Sequence, residues 1–210
     1  MIAQHASSRT EQLAVIEADP DQRGCFTGLL CYQSRTVCTI GHSNRPIEEF
    51  IDLLRQNQVE CVVDIRTVPK SRHNPQFGQD QLPASLAAAS IAYRYVGGLG
   101  GLRHPHKDSI NTGWRNRSFQ GYADYMQTDE FRQNVDFVEE LAGDTRLALM
   151  CAESVPWRCH RSMVADALTV RGIKVEHIIN RGKRRPHTLT KFAHVDGTRL
   201  TYPAEQSELF

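Results

Sequence analysis

Leu149-Met150-Cys151-Ala152-Glu153, followed after a short loop by Cys159-His160-Arg161-Ser162 and then a helical pattern, decides how this chain is read. An apolar strand ends here and a helix begins. The turn between them carries two thiols, a carboxylate, an imidazole and guanidinium groups. Strand-to-helix turns of this kind are where open α/β folds hold their ligands.

The same alternation extends outward in both directions. Upstream, Val37-Cys38-Thr39-Ile40 is a short strand running into Gly41-His42-Ser43-Asn44, and Pro46 opens an amphipathic helix with Ile47, Phe50, Ile51 and Leu54 on one face. Ser43 or Asn44 is expected to cap it. Cys61-Val62-Val63-Asp64-Ile65 is apolar almost throughout, as a parallel strand buried on both faces is. A long loop over 66–79 follows, then a helix over 81–89 and a strand over 91–96 ending in Gly97-Gly98-Leu99-Gly100-Gly101. Beyond a second long loop, 102–118, helical segments are expected at 122–126 and 130–141, a strand at 146–151, a helix at 162–171 stopped by Gly172, and a strand at 174–179.

This order predicts the α/β class: a single domain with a mostly parallel sheet of about five strands and helices on both faces. Residues 1–35 lack a sustained period and are expected to be a poorly ordered N-terminal extension. The domain proper is expected over 36–182, with 183–210 a basic segment and C-terminal tail.

Lys and Arg number 25 against 24 acidic residues in 210, so no global field draws the chain to nucleic acid or membrane, and electrostatic specificity has to be local. The absence of a long apolar stretch or a secretory start leads to the expectation of a cytoplasmic protein without a membrane partner. Six cysteines are too sparse for a disulfide scaffold. Without a phosphate-loop or dinucleotide fingerprint, no organic cofactor is expected.

Parallel pairing places every strand's carboxyl end on one edge. That edge gathers His42, Ser43, Asp64, Arg66, the glycine run 97–101, Cys151 and Glu153. Asp64 or Glu153 is the candidate general base or substrate anchor, and His42 or His160 the proton shuttle. Cys159, flanked by Arg158, His160 and Arg161 at a helix start, has surroundings that favour thiolate; it is either a nucleophile or a structural thiol. Amides at Gly100 and Gly101 are candidates to cradle an anion, and Arg66, Arg158 and Arg161 to hold it, with Arg72, Arg103 and Arg115 bordering the same edge. The plain alternatives are a local ion pair for Asp64 and Arg66, a helix cap for His42 and a core thiol for Cys151. Cys151, Cys159, His160 and His42 include metal-binding types, but their spacing is unlike the short zinc signatures, and no metal is expected.

Taken as a set, Thr39-Ile40-Gly41-His42-Ser43, Val63-Asp64-Ile65-Arg66 with Pro69 and Ser71, Leu99-Gly100-Gly101, Tyr122-Ala123-Asp124-Tyr125-Met126, and Cys151-Ala152-Glu153 with Cys159-His160-Arg161 resemble the DUF488 family over about residues 36–182. The resemblance implies the α/β fold, adds Ser71 to the substrate-binding candidates and carries no assigned reaction. A fainter similarity is to rhodanese-like and Cys-based phosphatase domains. Cys151 to Arg158 is one residue too long for the phosphatase C-x5-R loop, and Cys159 lies almost adjacent to Arg161. The expected function is an enzyme of hydrolase or lyase type acting on an anionic, nucleotide-like or nucleic-acid substrate at the carboxyl edge of the sheet. One alternative is a non-catalytic module that binds nucleic acid or a phosphorylated ligand, aided by the basic run 181–187. Another is a rhodanese-like sulfur carrier using Cys159 or Cys151.

Overall fold

Alternation on the central strands divides the core in two. Val37, Val63, Leu149 and Val175 turn to one face of the sheet, whereas Cys38, Ile40, Val62, Met150 and Ile178 turn to the other. A computed structural model describes residues 35–70 and 72–204, so the expectations placed on residues 1–34 and on Ser71 lie outside the described residues.

The strands are β1 (Thr36–Gly41), β2 (Cys61–Asp64), β3 (Ala92–Tyr95), β4 (Leu147–Cys151), β5 (Lys174–Asn180) and β6 (Lys183–Pro186), in spatial order β3-β2-β4-β1-β5-β6. The first five run parallel, and β6 returns antiparallel along β5. Helices α1 (Ile47–Gln56) and α2 (Leu82–Ala88) cover one face through Phe50, Leu53, Leu54, Leu82 and Leu86. On the opposite face lie α3 (Arg117–Tyr125), α4 (Asp129–Asp144) and α5 (Arg161–Thr169), anchored by Tyr122, Phe131, Val135, Met163 and Leu168. This is the expected α/β domain. Among the described residues no helix is long and apolar enough to cross a membrane.

Strands β1 and β4 are neighbours, yet the chain leaves β1 for a helix on one face and β4 for a helix on the other. Their diverging loops open a crevice at the carboxyl edge, the topological switch point of the sheet. The Ser43 and His42 amides cross it to the carbonyls of Ala152 (3.0 Å) and Cys151 (2.9 Å). Gly41 is required here, because a Cβ would overlap the Glu153 carbonyl.

Two expectations change. Neither Ser43 nor Asn44 caps α1: the cap position is Pro46, and Glu48 and Glu49 in the first turn face the positive end of the helix dipole instead. Ser43 takes a left-handed φ of 51° in the turn where the Arg45 amide bonds the His42 carbonyl. The segment after 182 is also no tail as far as 204. It supplies β6 and a hairpin of β7 (His194–Asp196) and β8 (Arg199–Thr201), and it sends Leu200 and Tyr202 into the core. Its strands are too short and too charged to show an apolar period, which is why sequence alone does not place them.

Candidate active site

Cys151 closes β4, and Cys159 lies at the mouth of α5 after a single 3-10 turn, Pro156–Arg158. The excursion between them returns the chain so tightly that the two sulfurs are 3.0 Å apart. Neither thiol is in a disulfide. Burial pushes the Cys151 thiol well above the ordinary range, so this sulfur keeps its proton and donates it to Cys159. The hydrogen bond from Cys151, reinforced by His160 and Arg161, holds Cys159 well below the ordinary thiol range despite its burial. The backbone amide of Arg161, in the first turn of α5, also reaches the Cys159 sulfur at 3.4 Å.

His160 completes a dyad. Its Nε2 lies 3.1 Å from the carbonyl of Ile65, which can only accept, so Nε2 carries the hydrogen. In the neutral ring Nδ1 is therefore the atom that takes the Cys159 proton, and once protonated it donates to the thiolate, the two atoms lying 3.6 Å apart. Nucleophile, base and orienting acceptor are thus in sequence, with a main-chain carbonyl doing what a carboxylate does in other triads. Gly101 makes room for the ring: a Cβ there would strike the imidazole.

Cys159 opens onto a cavity of about 350 Å³. Arg66, Lys70 and Arg158 give its wall positive charge, and Val68, Leu102 and Phe119 give it apolar surface. Among the described residues neither Lys70 nor Arg158 is in an ion pair. Glu153 stands exposed at the rim, its carboxylate accepting from Ser154 Oγ at 3.4 Å.

The remaining expected site residues divide by placement. Asp64 is fully buried and its oxygens are engaged: Oδ1 accepts from Arg66 N (3.1 Å) and Nε (2.8 Å), and Oδ2 from Arg66 Nη2 (2.6 Å) and the Tyr93 hydroxyl (2.8 Å). That set of bonds makes Asp64 the anchor of Arg66 and leaves it no lone pair aimed at a substrate. His42 donates from Nδ1 to its neighbour's carbonyl (2.8 Å), so Nε2 accepts from Arg66 Nη1 (3.3 Å), and Phe77 stacks on the ring at 4.3 Å. Burial, with the nearby arginine charges, lowers its pKa to about 4, so His42 is a neutral acceptor that aims Arg66.

Arg161 was expected to hold the substrate anion. It is instead 1% exposed and donates to the Cys151 sulfur (2.7 Å) and the carbonyls of Glu153 (3.1 Å) and Ser154 (3.3 Å), which places it behind the thiols. The Gly100 amide bonds the Gly97 carbonyl at 2.9 Å and cradles no anion; its lack of a side chain accommodates Thr67. Ser43 lies outside the cavity lining, as do Arg72, Arg103 and Arg115. Arg103 rides over the Tyr125 ring at 3.6 Å and donates to the glycine-run carbonyls, so it braces the turn. Among the described residues no group of three or more His, Cys, Asp or Glu side chains is arranged to hold a metal.

The family whose model is described as "Domain of unknown function DUF488" matches residues 46–168. The chain belongs to the DUF488 family. No curated protein and no solved structure matches it. The DUF488 match takes in Asp64, Arg66, Gly101, both thiols, His160 and Arg161; it stops short of His42 on one side and of β5 on the other.

The DUF488 protein also holds a polar cluster that sequence reasoning missed, of which only Asp166 falls within the match. Thr39 Oγ1 meets His177 Nδ1 (2.7 Å), His177 Nε2 meets His187 Nδ1 (3.0 Å), and His187 Nε2 meets Asp166 (2.8 Å). Asp166 also accepts from Thr190 and from the Tyr202 hydroxyl. The cluster ties β1, β5, α5 and the C-terminal segment together. Its residues are scattered through the sequence and share no period. Tyr93, Lys70 and Leu102 were likewise missed, since nothing in loop or edge-strand composition singles them out.

Proposed function

We propose that the DUF488 domain is a cysteine-dependent enzyme acting on a small anionic organic substrate, with Cys159 as nucleophile and His160 as its general base. The observation that carries this reading is the oriented Cys159–His160 dyad opening onto a cavity whose wall holds Lys70 and Arg158, neither in an ion pair among the described residues. Arg66 supports the same reading as part of the cavity wall, where Asp64, His42 and the Phe77 carbonyl fix its fork in place. Apolar walls at Val68, Leu102 and Phe119 suit a substrate with a flat or hydrocarbon body beside its charge, a nucleotide-like compound among them.

Covalent catalysis proceeds by attack of the Cys159 sulfur on an electrophilic atom, with the arginines and lysine neutralising the substrate's charge. The test is the rate of Cys159 alkylation by iodoacetate and by uncharged iodoacetamide between pH 5 and 9. A thiolate in a cationic pocket reacts below pH 7 and prefers the anionic reagent, a preference that Arg158→Ala and added salt reduce. Alkylation that needs pH above the ordinary thiol range, or no preference for the anion, refutes the proposal. A non-catalytic phospho-ligand module is separated by Cys159→Ser, which would leave ligand affinity intact while an enzyme loses turnover. The basic run favours it little: Arg184 is bonded to Glu176, Arg181 to Asp52, and Arg185 lies over Trp157.

A further inference from the structure

A hydrolase has no use for a second thiol packed on its nucleophile. An acyl or phosphoryl group on Cys159 is released by water, and a neighbouring thiol only competes for it. Cys151 is 1% exposed and hydrogen-bonded to Cys159 at 3.0 Å, about 1 Å beyond the length of a disulfide bond. Arg161 Nη1, 2.7 Å from the Cys151 sulfur, stabilises a thiolate there once the proton leaves. Backbone bonds fix both positions: Cys159 N to Pro156 O at 3.1 Å, and the Cys151 carbonyl accepts from His42 N at 2.9 Å.

We infer that Cys151 is a resolving thiol and that the substrate class of this site is an anionic organic disulfide. This rests on the reading of Cys159 as a nucleophile. In the first step the Cys159 thiolate attacks one sulfur of R–S–S–R′, forming Cys159–S–S–R and expelling R′–S⁻. In the second step Cys151 gives up its proton, the Arg161 guanidinium 2.7 Å from its sulfur favouring the thiolate. Its thiolate attacks the Cys159 sulfur, forming the Cys151–Cys159 bond, and RS⁻ departs with that proton as RSH. The two protein sulfurs are oxidised by two electrons and the substrate disulfide is reduced to two thiols. A small-molecule or protein dithiol must return the pair to its reduced form.

The cavity supports the substrate class. Lys70 and Arg158 take the charge, and Val68 and Leu102, which are 56% and 72% exposed, take the organic body at the mouth.

The experiment uses the full chain with 5,5′-dithiobis(2-nitrobenzoate), an anionic aromatic disulfide whose released thiolate is coloured, followed by peptide mapping. Wild type is expected to release two coloured thiolates at this pair, to retain no adduct and to yield a disulfide-linked Cys151–Cys159 peptide. Cys151→Ser is expected to release one and to keep a stable mixed disulfide on Cys159. A wild-type protein that keeps the adduct on Cys159 overturns the resolving role while leaving the nucleophile reading standing, and it needs no variant to fold. Failure of Cys159 to react at all, with the protein folded by circular dichroism, overturns the nucleophile reading itself. The anionic class is tested with the same disulfide carrying amides in place of carboxylates. The carboxylate form should react about tenfold faster or more at low salt, and equal rates overturn that assignment.

Discussion

Gly101 lies so close to the imidazole of His160 that a Cβ has no room between them. The ring that faces Cys159 is therefore held from one side by a missing side chain and from another by the Ile65 carbonyl. Gly101→Ala should push the ring away from the sulfur. Misplacement by about 1 Å predicts a loss of up to about 100-fold in Cys159 alkylation rate at pH 7, with a folding cost of about 1–3 kcal/mol from overpacking. Stopped-flow alkylation alongside urea unfolding measures both.

Asp64 is bonded to Arg66 through both oxygens, with neither partner more than 6% exposed. Removing one member strands a buried charge, so Asp64→Asn should destabilise the fold by about 3–5 kcal/mol. Tyr93→Phe, which deletes a single bond to Asp64, should cost about 1 kcal/mol. A stable Asp64→Asn protein that had lost its chemistry would return Asp64 to the role of base.

Two buried histidines make stability fall in acid. His42 is lowered to about 4 and His177 to about 3, each mainly by burial, against an unfolded value near 6.5. Between those values the unfolded chain binds the additional protons, so unfolding is favoured as pH falls. Stability should be full above about pH 6.5, decline through pH 5, and level off for His42 near pH 4 and for His177 near pH 3. His42→Gln should flatten the upper part of the decline in urea unfolding followed from pH 7.5 to 3.5.

The C-terminal segment is integral to the fold, so truncation after residue 182 should abolish cooperative unfolding. The milder Leu200→Ala removes a side chain that is 3% exposed and should cost about 2–5 kcal/mol. Thermal melts followed by circular dichroism distinguish this from a dispensable tail, which would leave the midpoint unchanged.

The sheet was legible because its central strands are short, almost wholly apolar and separated by amphipathic helices; Val62, Val63, Leu147 and Leu149 leave no other arrangement. The location of the site followed from parallel pairing, which forces Gly41 and Cys151 side by side. The division of labour there was not legible. Whether an arginine faces solvent, like Arg158, or the back of a thiol, like Arg161, depends on the path of one 3-10 turn that leaves no periodic signature. The contact between Cys151 and Cys159 is likewise a product of loop closure, and the anchoring of Asp64 by Tyr93 depends on strand order. Gly100 looked like part of an anion cradle because close packing and anion binding select the same residue.

The outermost strand gives the basic run 183–186 a different meaning. A parallel sheet whose last strand had a bare apolar rim would offer unpaired amides and carbonyls to any passing extended chain. Here that rim is Lys183, Arg184, Arg185 and Pro186, all exposed. Like charges repel a second copy approaching edge to edge, and the proline withholds one donor from any added strand. A stretch that resembles a nucleic-acid footprint thus also puts charge and a proline along an open edge of the sheet.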